Sequence, residues 1–165
     1  MGFTGVSMSF AAPSPKPPEY QTIRNDLDAQ EDWISASERV TISTLGGSWS
    51  FETDPYRSGF CQMTGNLTVF PEDELSGTAT CQLTAVEVCG QERSVVQQSC
   101  TMVLSEGNAV IESAIEQFIE RKPSSVGYLP DNFTLNELAS DEMSGELDSA
   151  VSSFVVFRRP EGGIS

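Results

Sequence analysis

Cys61, Cys81, Cys89 and Cys100 are the most reactive side chains in this sequence, and no histidine accompanies them. Without an imidazole, Ser-His-Asp and Cys-His catalysis are excluded and a typical zinc site loses its usual nitrogen ligand. The cysteine spacings contain no CxxC pair, so a zinc ribbon or thioredoxin-type motif is absent. An even number of cysteines clustered within 40 residues points instead to an oxidised, extracytoplasmic domain.

Carboxylates are the other available chemistry. Asp and Glu number 24 against 9 Lys and Arg, a net charge of −15. Such a field repels phosphate, which argues against nucleic acid and anionic membrane as partners. The acidic runs Glu72-Asp73-Glu74 and Asp141-Glu142 lack the alternating oxygen ligands and glycine of a calcium loop, and read as solvated hairpin tips. A hydrolase would need Glu87 and a second acid about 5–10 Å away in one cleft. No such pair is legible. Neither a metal nor a cofactor is expected.

The elements that must position these residues fall into four stretches. Residues 1–19 carry PSPKPP and read as a flexible, extended Pro-rich arm. The small residues of Ser9-Phe10-Ala11-Ala12 suggest the remnant of a secretory signal, although a basic start and an apolar run are missing. Residues 20–39 fit either a short amphipathic helix or an acidic lead-in. From 40 to 160 the apolar period is two, and 161–165 reads as a disordered tail. Eight strands are expected, at 47–54, 61–70, 77–89, 92–104, 108–119, 127–138, 142–148 and 151–159. Segment 108–119 also carries a helical stripe through Val110, Ile111, Ala114, Ile115 and Phe118, but strand is the favoured reading. Turns too short for crossover helices make the fold a mainly β, antiparallel up-and-down meander. No run of 18 apolar residues could cross a bilayer as a helix.

One hairpin can be read in register. If Gly90-Gln91 form a type II′ turn, Cys89 faces Glu92 and opposed residues have numbers summing to 181. Cys81 and Cys100 satisfy that sum. The preceding hairpin, centred near residue 75, brings Cys61 to Cys89 with matching parity. The expected disulfides are therefore Cys81–Cys100 and Cys61–Cys89. Glu87, Gln98 and Met102 share the inner face with Leu83 and Cys100, and Tyr128 sits beside a proline in YLPDNF. These four are the candidate ligand-binding residues, because pockets set a few convergent polar groups on apolar walls.

Eight meandering strands are best closed into a roughly eight-stranded barrel, which removes the sheet edges. Gly47-Ser48-Trp49 opens the first strand, and Arg158-Arg159 end the last one, which must pair with it. At these residues the chain resembles the calycin group: lipocalins, fatty-acid-binding proteins, avidins and the small bacterial metalloprotease-inhibitor barrels. The resemblance implies that Gly47, Trp49 and a C-terminal arginine are structural, plugging one barrel end. Taking Phe154 and Val156 as inward selects Arg158 for that place. The sequence departs from lipocalins in lacking a TDY-type loop and a long C-terminal helix after Arg159.

The leading expectation is a non-enzymatic, extracytoplasmic (periplasmic or secreted) binding barrel for a small apolar molecule or a protein partner. The alternatives are a protease-inhibitor-like barrel acting through its N-terminal arm and a carboxylate-dependent hydrolase. The first expects an interior cavity of some hundreds of Å³, the second a filled barrel.

Overall fold

A computed structural model describes residues 40–121 and 127–160. The arm 1–19, the lead-in 20–39 and the tail 161–165 lie outside the described residues. Alternation of apolar and polar residues becomes eight strands: β1 (Gly47–Thr53), β2 (Cys61–Asp73), β3 (Thr78–Cys89), β4 (Glu92–Ser105), β5 (Asn108–Glu120), β6 (Asn132–Leu138), β7 (Glu142–Asp148) and β8 (Ser152–Arg158). Each pairs antiparallel with its chain neighbours, and β8 pairs with β1 to close the barrel. The fold is the expected meander barrel, and the described residues contain no helix.

Gly90 has φ 62° while Gln91 stays at negative φ, the pattern of a type II′ turn. The β3–β4 ladder accordingly runs from Cys89 opposite Glu92 through Cys81 opposite Cys100 to Thr78 opposite Val103. Cys61 stands opposite Cys89 in the β2–β3 ladder, which slips only between Pro71 and Asp73. Proline has no N–H to give a ladder and belongs at such an irregularity. Both bridges form as the register requires, with Cα–Cα separations of 4.1 Å and 4.8 Å.

Two segments depart from the expected elements in instructive ways. Strand β6 starts at Asn132 rather than 127, because Gly127 sits at φ 85° and Pro130 cannot donate to a ladder. The 108–119 segment is strand, and Val110 and Ala114 of its helix-like stripe are exposed, while bulges between Val95 and Val96 and between Gln97 and Gln98 let β5 residues fall out of strict alternation. Phe118 thereby joins Ile111 and Ile115 among the more buried positions. The β5–β6 ladder covers only Ala109 to Ile111, and beyond it the Ser113 N–H donates to the Asn132 side chain at 2.8 Å.

The inward faces form one filled core. Phe51, Phe133 and Phe157 meet at ring-centroid distances of 5.0 to 5.5 Å, with Leu67, Leu83 and Met102 packed around them. Gly65 in β2 makes room for this cluster. A Cβ there would collide with the Thr84 carbonyl oxygen and stand 2.5 Å from the Phe51 ring. Gly65→Ala should therefore cost about 1–3 kcal/mol, the usual range for overpacking. Urea unfolding would read it, and an unchanged midpoint would show that the ring moves aside freely.

One barrel end is sealed. Gly47 has φ 97°, a conformation that side-chain-bearing residues avoid, and it turns the chain into β1. Trp49 is fully buried, and its Nε1 donates to the Leu45 carbonyl at 2.9 Å. The arginine over its ring is Arg159, with Cζ 3.8 Å from the ring centroid, and not Arg158. Register with β1 decides this: Phe157 stands opposite Phe51, so Val155, Phe157 and Arg159 point to the interior side. Phe154 is half exposed, and Arg158 lies outside in an ion pair with Glu142 at 2.9 Å. Arg159 also donates to the carbonyls of Thr44, Gly46, Ser48 and Ser140 at 2.8 to 3.1 Å. It ties the 44–48 approach segment to the β6–β7 turn across the barrel end.

Candidate functional site

Among the described residues, the opposite end is open. Antiparallel order places the 54–60 loop, the Gly90-Gln91 turn, the 127–131 loop and the 149–151 turn around one mouth. Within it lies a cavity of about 320 Å³, with Met63, Leu129 and Val151 on its apolar wall and Glu87, Tyr128 and Asp131 as its polar groups. Phe60 and Leu129 remain substantially exposed at the rim.

The polar groups are built inward from different elements. Glu87 comes from the inner face of β3 and is buried; its Oε2 accepts the Tyr56 hydroxyl at 2.7 Å. Gln98 comes from the inner face of β4 and has no exposed surface. Its Nε2 donates to Asp131 Oδ2 at 2.7 Å, and its Oε1 accepts the Asp131 backbone N–H at 2.9 Å. This two-point clasp fixes the 127–131 loop against the barrel. Tyr128 completes it, donating its hydroxyl to the same Oδ2 at 2.7 Å, while its ring packs edge-on against Phe118.

Asp131 is fully buried, and its Oδ1 has no hydrogen-bond partner. Burial raises its carboxyl above the ordinary range, the Tyr128, Gln98 and Ser149 side chains oppose that, and the nearby Glu87 charge adds to it. Ser149 is close enough to lower it, yet the Ser149 hydroxyl donates to the Leu129 carbonyl at 3.1 Å, so Oδ1 stays unpaired. Burial, reinforced by the adjacent carboxylates, pushes the Tyr56 and Tyr128 phenols well above their usual range. Both phenols are therefore donors at neutral pH, and both are spent on carboxylates.

Of the four candidate ligand residues, Glu87 and Tyr128 line the cavity, while Gln98 lies behind it and acts through Asp131. Met102 is not on the cavity wall. It stands opposite Ile111, toward the sealed half of the barrel, and packs in the core. Asp131 was not anticipated, because YLPDNF looked like the start of a strand, whereas the segment is a loop up to Asp131. Pro130 followed by an acid and then Asn was the available sign of a turn that could bring a carboxylate inward. The ligand atoms of Cys61, Glu87 and Cys89 lie within 4.8 Å of one another, but both sulfurs are committed to the disulfide and offer no thiolate.

No protein-family model matches the sequence, and no curated protein matches it. Two solved structures are similar to it in fold. One is a de novo designed fluorescence-activating β-barrel, 14% identical, with a TM-score of 0.50 over 72% of this chain and 96% of that one. The other is a redesigned β-barrel, 13% identical, with a TM-score of 0.51 over 73% of this chain and 95% of that one. This chain is thus a closed eight-stranded antiparallel β-barrel similar to designed barrels, one of them fluorescence-activating.

Proposed function

We propose that this protein is a non-enzymatic, extracytoplasmic binding barrel that holds a small, largely apolar molecule in its open mouth. The observation that carries the reading is the contrast between its ends. One is sealed by Trp49 and Arg159, and the other keeps a cavity of about 320 Å³ with a few converging polar groups on apolar walls. The designed fluorescence-activating barrel shares the architecture.

Two further features support the reading. The two cross-strand disulfides suit an oxidising compartment. Apolar side chains fill the interior and polar ones dominate the outward faces, the reverse of a membrane-spanning β-barrel.

Prodan, a small neutral solvatochromic naphthalene, tests the cavity. It should bind saturably with blue-shifted emission, and Ala150→Trp, which fills the mouth, should weaken it by about tenfold or more, the effect of ~1.4 kcal/mol. Unchanged binding in folded Ala150→Trp protein would place the dye elsewhere and remove the support for this reading.

A further inference from the structure

Resting on that reading, we propose that the mouth cavity selects an organic cation: a ligand with a protonated amine on an apolar or aromatic body, its ammonium held between Glu87 and Asp131.

The buried charged groups of the cavity are both acids, Glu87 and Asp131. Both line the same cavity, and the Glu87 charge helps to raise the Asp131 carboxyl. The phenols that could satisfy an anionic ligand already donate to these carboxylates. Arg57 is the basic residue on the cavity wall, and it belongs to the 54–60 loop where it is exposed. A buried acceptor without a donor is costly, and a charged one more so. Asp131 Oδ1 is such an acceptor, while Oδ2 of the same group takes two donors. The clasp from Gln98 holds the carboxylate in place, so the unpaired oxygen is a fixed feature of the site.

An ammonium group supplies hydrogen-bond donors for Oδ1 and a charge opposite to that of both acids. Oδ1 has no water-accessible surface, so the donor must displace part of the wall that covers it. Leu129, half exposed at the cavity rim, belongs to the loop that carries Asp131. The apolar body then rests on Met63, Val151 and the Tyr128 ring. A carboxylate or phosphate ligand would face two acids and a net charge of −15.

Three ligands of one shape test this: 1-naphthylmethylamine, 1-naphthylmethanol and 1-naphthoate, titrated calorimetrically at physiological salt, which screens the general attraction of an acidic surface. The amine should bind about 10- to 100-fold more tightly than the alcohol, the range expected for hydrogen bonds to a charged group, and the naphthoate more weakly than either. Asp131→Asn should remove most of the preference for the amine, and Glu87→Gln should reduce it. If Asp131→Asn fails to fold, the amine–alcohol ratio in the unsubstituted protein still decides.

Equal binding of amine and alcohol would overturn the cation proposal and leave the mouth cavity standing. So would an amine preference that survives both substitutions, since it would come from surface charge. Calcium that binds at the mouth and displaces the amine would make the site one for a metal ion and also overturn it. If none of the three binds and prodan does not bind either, the cavity reading falls together with the proposal.

Discussion

Replacing Trp49 with alanine is expected to destabilise the barrel by about 3–5 kcal/mol, because it empties a fully buried aromatic site at the sealed end. Arg159→Ala should cost roughly 2–3 kcal/mol. Its guanidinium covers the indole and also donates to four backbone carbonyls, three of them in the 44–48 segment. The two losses should not add, since the arginine loses its stacking partner when the indole is gone. Guanidinium-induced unfolding of the double-mutant cycle should give a coupling on the order of 1 kcal/mol. Simple additivity would mean that Arg159 acts only as a backbone clamp. Arg158→Ala is the control, with an expected cost of about 0.2–1 kcal/mol for an exposed ion pair.

Loss of either disulfide is the other large effect. The bridges join residues 28 and 19 apart, and constraint of the unfolded chain over loops of that length is worth about 3–4 kcal/mol each in the chain-entropy account. Cys81→Ser with Cys100→Ser should lower the melting temperature without touching the cavity, because that pair is not on its wall. Cys61→Ser with Cys89→Ser should lower it similarly and also weaken prodan binding, because Cys61 and Cys89 do line the cavity. Non-reducing peptide mapping checks the pairing first. Four titratable thiols in freshly purified protein would contradict it.

The hairpin at Gly90 shows why much of this fold was legible. A two-residue turn fixes every opposed pair along both strands, so one glycine determined the register and one of the cystine pairs. The choice between Arg158 and Arg159 was not legible from β8 alone. Both of its faces carry an apolar pair, Phe154 with Val156 and Val155 with Phe157, and alternation cannot say which is inside. Only pairing with β1, 106 residues earlier for Phe157 and Phe51, decides it. Glu87, Gln98 and Tyr128 could be placed near an interior from strand parity and local composition. Asp131 could not, since its inward position depends on a loop held by Gln98, and no periodicity reports a loop.

The overhang of β5 has a consequence for how copies of this protein meet. Past Ser113, whose N–H donates to the Asn132 side chain, the strand has no second ladder partner among the described residues. Unpaired strands are templates for pairing with another chain. This one carries Glu112, Glu116 and Glu120, all exposed, at four-residue intervals. Two copies approaching edge to edge would bring these glutamates together, and their repulsion opposes assembly, with Glu120 partly offset by its ion pair with Arg93 at 3.5 Å. Solubility therefore rests on three side chains as well as on the overall charge, and replacing all three with glutamine would leave the edge able to recruit a second barrel.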